Sequence, residues 1–367
     1  MTNSISLYFH IPFCLKKCDY CAFFSLANQA DEVKQAYYEA LLRQISHFKT
    51  DKEIKSIYFG GGTPTTLGAS RLCSLLHAVK QSLTLSQDCE ITLEVNPKTV
   101  DLSSLTELRK SGFNRLSIGV QSADDSVLRS LGRVHSFQDA LFCISDARKA
   151  GFTNVSADII FALPYQTDEA FVSGIEKIVK TGVNHISAYS LQLEEGTPLY
   201  ERASRLSFPD EDSEEWQYSR LCAILKENGF THYEISSFAK NGDFSRHNLN
   251  YWACGEYFGF GAGAHSHYLG RRFSTPCDID AFIEKSHLSL LAPTDFDASP
   301  ILTEAEREEE RIMLGLRTSF GVKIPDKKHH VGIKVASLGY GSYKDGVLSL
   351  NSRGFRVSNA IIAELLT

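Results

Sequence analysis

Three cysteines, Cys14, Cys18 and Cys21, lie in the run His10-Ile11-Pro12-Phe13-Cys14-Leu15-Lys16-Lys17-Cys18-Asp19-Tyr20-Cys21-Ala22-Phe23. This C-x-x-x-C-x-x-C spacing offers three thiolates and no fourth. A structural zinc ion takes four closed ligands, so it would need His10 or a more distant residue to complete it. A cubane iron–sulfur cluster held by three thiolates instead keeps one iron open to an outside ligand. A disulfide with a leftover thiol would suit a secreted chain, and no signal-peptide pattern precedes the motif. The polar Lys16, Lys17 and Asp19 between the cysteines argue against three unrelated buried thiols.

Other residues with chemical capacity follow at intervals. Tyr58-Phe59-Gly60-Gly61-Gly62-Thr63-Pro64-Thr65 brings backbone close to a ligand with no Cβ in the way. No P-loop lysine follows it, which disfavours nucleotide phosphate. Glu94, closing the run Ile91 to Val95, can accept hydrogen bonds from an amine or a ribose hydroxyl. Gln121 ends another apolar run, Arg133 follows a short helix, and Asp158 sits inside an otherwise apolar stretch. A buried carboxylate needs a partner, and Arg133 is the candidate, unless both face a ligand. His247-Asn248-Leu249-Asn250-Tyr251-Trp252 joins an imidazole to aromatics that can cover a porphyrin face, although a hydrogen-bonded loop histidine has the same look. His265 and His267 are alternatives.

The elements that must position these groups are βα units. Gly112, Gly151, Gly182 and Gly229 each end an amphipathic stretch, with Lys or Glu two positions earlier, and each precedes an apolar run. Strands are expected at Ile5–His10, Ile54–Phe59, Cys89–Val95, Arg115–Val120, Val155–Phe161, His185–Leu191 and His232–Phe238. Val33, Tyr37, Leu41, Ile45 and Phe48 recur at helical spacing before the second of them. Such alternation indicates an α/β fold with a parallel sheet, whose ligands sit at the carboxyl ends of the strands. Six or seven units are too few for an ordinary eight-stranded barrel. The Gly-, His- and aromatic-rich Lys240–Tyr268 has the look of a linker. A capped acidic helix over 303–316, a hairpin strand at Gly346–Leu350 and a closing helix from Ala360 to Leu366 complete a smaller α+β domain, with the division at 1–238 and 239–367.

Composition narrows the function. The chain has 367 residues, 43% hydrophobic, with a net charge of −6. That charge argues against a nucleic-acid partner held by bulk positive charge. No apolar run reaches the length of a membrane span. Nine cysteines without a secretory pattern suit a reducing compartment, so a cytoplasmic location is expected.

The cysteine run strongly resembles the radical S-adenosylmethionine (SAM) enzymes. In that superfamily the open iron of a [4Fe–4S] cluster chelates SAM, and an electron passed from the cluster generates a 5′-deoxyadenosyl radical. The resemblance implies a partial (β/α)6 TIM-like barrel, in agreement with the strand count. Tyr8-Phe9-His10-Ile11-Pro12-Phe13-Cys14, Phe59 to Thr65, Gly119-Val120-Gln121 and Asp158-Ile159-Ile160 with Leu163-Pro164 are similar to the oxygen-independent coproporphyrinogen III oxidases and their relatives. The likeness runs nearly the whole chain, to Gly354-Phe355-Arg356-Val357-Ser358-Asn359. It implies that Cys14, Cys18 and Cys21 hold the cluster, and that Tyr8, Tyr20, Gly61, Gly62, Thr63, Glu94, Gln121, Arg133 and Asp158 contact SAM.

Three features point within that group to the HemW-type heme chaperones and away from the oxidases. Phe23 stands where the oxidases carry a further cysteine, only Met1 to Ser4 precede the first strand, and His247 to Trp252 matches an H-N-x-x-Y-W signature. This resemblance implies heme as a ligand, with His247 the expected axial residue, apo-hemoproteins as recipients and an electron donor for the cluster. It argues against decarboxylation of coproporphyrinogen III; radical chemistry on another substrate is the remaining alternative. Replacing any one of Cys14, Cys18 or Cys21 by Ala should abolish the cluster and its broad visible absorbance after anaerobic reconstitution. Stoichiometric zinc in place of iron and sulfide would contradict the cluster.

Overall fold

The computed structural model of the chain describes residues 3–286 and 301–367. Its centre is a sheet of six parallel strands: β1 (Ser4–Ile11), β2 (Glu53–Gly61), β3 (Leu85–Val95), β4 (Arg115–Gln121), β5 (Asn154–Phe161) and β6 (His185–Ser190). They lie side by side in chain order, each paired with the next. The helices α1 (Asp31–His47), α2 (Ala69–Ser82), α3 (Leu102–Ser111), α4 (Phe137–Lys149) and α5 (Asp168–Lys180) make the crossovers, and α6 (Glu211–Glu227) follows β6. This is the expected partial barrel.

Local chemistry explains the helices. In α1 the apolar face Tyr37, Leu41 and Ile45 is buried, while Asp31 and Glu32 occupy the positive first turn. Ser136 and Asp139 close a capping box at the start of α4. The four punctuating glycines all adopt positive φ, from 79° at Gly182 to 118° at Gly112. Each turns the chain from a helix toward the next strand with no Cβ penalty.

The structure departs from expectation after β6. The run His232–Phe238 is a hairpin: β7 (Thr231–Glu234) and β8 (Ser237–Ala239) pair antiparallel, and β8 runs antiparallel to β6. The supposed linker is barrel. It forms a short helix, α7 (Arg246–Trp252), then β9 (Tyr257–Phe260), β10 (His265–Tyr268) and β11 (Arg271–Ser274). Strand β9 pairs parallel with β1 and carries the antiparallel β10 and β11 outward. The aromatics that resembled loop composition are core: Phe258 is 3% and Phe260 0% exposed, and the Phe260 ring stacks on Phe9 at 4.6 Å.

A separate hydrophobic core gathers Ile312, Leu316, Val331, Leu348, Phe355 and Ile361. It is built by α8 (Glu304–Gly315), α9 (His329–Ser337), a hairpin of β12 (Gly341–Lys344) and β13 (Val347–Leu350), and α10 (Ser358–Leu366). Thr303 and Glu306 form the expected capping box. With residues up to Ser274 in the barrel sheet, we place the change of unit beyond that strand rather than at 238/239.

One buried contact ties α7 to the barrel. The Glu90 carboxylate, 3% exposed, accepts the backbone N–H groups of Arg246 and His247, both at 3.0 Å. Glu90→Ala leaves two donors unpaired and should cost about 2–3 kcal/mol in denaturant unfolding. A loss below about 0.5 kcal/mol would show that α7 is held by other means.

Candidate SAM and cluster site

At the carboxyl ends of the parallel strands lies a cavity of about 540 Å³. Cys14, Cys18 and Cys21 stand at its wall, on the segment that leaves β1. Backbone bonds hold this segment to the end of β2, with Gly62 N donating to Ile11 O at 2.9 Å and Thr63 N to Phe13 O at 2.7 Å. A Cβ on Gly62 would come within 2.8 Å of the Phe13 carbonyl oxygen, so the close approach requires glycine. On the opposite side Asp19 N donates to Leu131 O at 3.0 Å, Leu199 N to Asp19 O at 2.8 Å, and Arg202 pairs with the Asp19 carboxylate at 2.5 Å. The loop is pinned from two directions.

The thiols are free, and two of them receive donors. Thr63 Oγ1 lies 3.7 Å from Cys14 Sγ, and Arg133 Nη1 lies 3.4 Å from Cys18 Sγ. Burial raises the Cys21 thiol. A cation and a hydroxyl directed at sulfur orient the side chains that would ligate iron. These contacts, and the place of the three cysteines at the cavity wall, suit a cluster that Cys14, Cys18 and Cys21 would hold.

Alternation along the strands supplies the other walls. Arg115, Ser117, Gly119 and Gln121 share one face of β4 and all line the cavity. A Cβ on Gly119 would meet the ends of two flexible side chains, Gln121 Nε2 at 2.8 Å and Arg133 Nη2 at 3.1 Å, which would have to shift. Gln121 itself adopts φ +65° at a register shift in the β4–β5 pairing, which turns it away from the strand. Tyr20, Gly61, Gly62, Thr63, Glu94, Arg133 and Asp158, named from the sequence, reach the same cavity. Tyr8 is set back from it, its hydroxyl 3.0 Å from His10 Nδ1 and its ring stacked on Tyr58 at 6.2 Å.

One expected pairing differs, while its alternative, that Arg133 and Asp158 both face a ligand, is compatible with their place in the cavity wall. Asp158 is not bound by Arg133; its oxygens accept from Ser117 Oγ at 2.7 Å and Ser156 Oγ at 3.0 Å. Arg133 is committed to Cys18 and, at 3.0 Å, to Gly119 O. Burial raises the Asp158 carboxyl, opposed by the serine bonds and by Arg115. Glu94 accepts from Tyr58 Oη at 2.8 Å, and burial pushes it up to about 7. Sequence reasoning passed over Arg115, Ser117 and Tyr58, although the two-residue period from Gln121 pointed back to the first two.

His247 is the second departure. It is 1% exposed, with Nδ1 2.9 Å from Ser56 Oγ and Nε2 2.8 Å from Tyr251 Oη. Its ring stacks on Tyr58 at 5.0 Å, and burial lowers its pKa to about 3. This neutral imidazole has both nitrogens occupied inside the protein. Ligating iron there would require one of those bonds to break. Its neighbour Asn248 does line the cavity.

Comparison with known proteins agrees with this geometry. Residues 8–178 match the radical SAM superfamily. The heme chaperone HemW of Lactococcus lactis is 36% identical over 87% of this chain and 83% of its own length. That of Bacillus subtilis is 37% identical over 86% and 84%. The chain belongs to the HemW family of radical SAM proteins. The coproporphyrinogen III oxidase HemN of Escherichia coli shares the fold, with a TM-score of 0.85 at 20% identity, covering 100% of this chain and 91% of that one. Membership in the HemW family implies SAM and a [4Fe–4S] cluster, for which the cavity and its cysteines are suited. No helix among the described residues is long and apolar enough to cross a membrane.

The raised Glu94 has a consequence for stability. Between its ordinary value of 4.5 and about 7, the native state holds a proton that the unfolded chain has lost. Its contribution to stability therefore falls as pH rises through that window. Relative to wild type, Glu94→Gln should gain melting temperature from pH 5 to pH 8. A difference that does not change with pH would contradict the burial effect.

Proposed function

We propose that this HemW-family chain binds heme and delivers it to apo-hemoproteins, from a barrel that holds a [4Fe–4S] cluster on Cys14, Cys18 and Cys21 with SAM beside it. The observation that carries the reading is the 36–37% identity, over most of the chain, to two proteins named heme chaperones. The shared fold of the oxidase says nothing of substrate at 20% identity.

The cavity residues take their parts from chemistry. When bound, the cluster supplies an open iron and an electron, which an external donor must provide. Gly61, Gly62 and Thr63 allow the methionyl end of SAM to approach backbone, and Glu94 offers an acceptor for its amine or a ribose hydroxyl. Gln121 and Asp158 present polar groups to the rest of the nucleoside, with Tyr20 closing the wall and Tyr8 steadying Tyr58. Arg133 holds positive charge against Cys18 and faces the same cavity, where a carboxylate is its natural partner.

Phe23 favours the chaperone over the oxidase. It lines the cavity mouth and is 71% exposed, and a phenyl ring offers no thiol where the oxidases have a further cysteine. Anaerobically reconstituted protein should bind hemin and pass it to apomyoglobin, followed by the recipient's Soret band. Reduced and supplied with SAM, it should not convert coproporphyrinogen III to protoporphyrinogen IX. Steady formation of that product in step with SAM consumption would sink the chaperone reading in favour of the oxidase.

A further inference from the structure

The structure separates the three histidines that the sequence offers to a heme iron. His247 is enclosed. His267 is half-buried, with Nδ1 3.4 Å from Gly255 O, and burial lowers its pKa. His265 is exposed on β10, and no side-chain hydrogen bond to its ring occurs among the described residues. It is the imidazole free to take a metal.

Its surroundings are those a porphyrin needs. His265 lies near enough to His10 to act on it electrostatically. The His10 ring stacks on Phe24 at 6.0 Å, and its Nε2 lies 2.9 Å from Phe24 O. Gly263, two residues before His265, also abuts Phe24, since a Cβ there would come within 2.9 Å of Phe24 Cδ1. Strand β10 therefore stands against the end of the cysteine loop. The next residue back, Phe23, turns an unpacked ring to solvent at 71% exposure. Earlier in the same loop Leu15 is 45% exposed, and Lys16 and Lys17 are exposed beside it. Neither lysine forms a salt bridge among the described residues. Heme is a flat apolar ring with an iron at its centre and anionic propionates along one edge. An apolar face, an unengaged imidazole and a pair of unpaired cations match it term by term.

We infer that heme seats on this rim, at the mouth of the SAM cavity that Lys16, Lys17 and Phe23 line, with His265 on the iron, Phe23 against the porphyrin face and the two lysines toward the propionates. The inference rests on the heme-binding reading above and names its site. It also gives Phe23 a positive role, as a contact surface in place of a thiol.

The test titrates hemin and hemin dimethyl ester into reconstituted protein. All four side chains are exposed, so unchanged cluster absorbance in each variant shows that the barrel is intact. His265→Ala should shift the Soret band and weaken hemin binding by about tenfold or more. Added imidazole should restore the wild-type spectrum, which a merely structural role would not allow. Phe23→Ala should weaken binding of both probes. Wild type should prefer hemin to its diester, and the double variant Lys16→Ser, Lys17→Ser should lose that preference. If wild type binds hemin and His265→Ala leaves both spectrum and affinity unchanged, the seat is wrong while the chaperone reading stands. If wild type binds no hemin, both fall.

Discussion

The cavity depends on the hold that the end of β2 keeps on the segment leaving β1. Gly62 and Thr63 donate to the carbonyls of Ile11 and Phe13, and no side chain larger than hydrogen fits at Gly62. These bonds set where Cys14 begins and hence where the three sulfurs stand. Asp19, held by Leu131, Leu199 and Arg202, fixes the far side of the loop. A cluster with an open corner is useful only if that corner faces a ligand, so rigidity of this loop links the fold to the chemistry.

Beside the three cysteines the barrel interior is polar and largely buried. Glu94, Asp158, Arg115 and His247 share it with the phenols of Tyr8 and Tyr58. Its charges are moderated rather than paired: Asp158 rests on serines, Glu94 on a tyrosine, and His247 is held neutral. Arg115 is 2% exposed, and its Nε has no partner among the described residues. Such an interior is costly to build and is retained where a polar ligand supplies the missing contacts.

Much of this was legible in the sequence because it is local. Cysteine spacing, the glycine turn after β2 and the C′ glycines each act within a few residues of themselves; the glycines turn the chain as expected, and the cysteines come to one cavity wall. Residues that recur every second position along a strand share a face, so Gln121 and Gly119 implied Ser117 and Arg115 as well. What escaped depends on contacts distant in the chain. His247 finds Ser56 across 191 positions, and the peptide N–H it carries finds Glu90 across 157. Nothing near His247 announces those partners. Tyr257–Phe260 was hidden differently: its aromatics and glycine resemble a loop, and only pairing with β1 makes it a strand. The run His232–Phe238 was read as one strand because its apolar residues do not mark the reversal at Ile235 and Ser236.

The measurement that tests the central claim most directly is Mössbauer spectroscopy of the reconstituted protein with and without SAM. A cubane on Cys14, Cys18 and Cys21 leaves one iron without a thiolate, so SAM should alter the signal of that iron and spare the others. Spectra that SAM does not change, or that already show every iron bound by thiolate, would contradict a three-cysteine cluster open to this cavity.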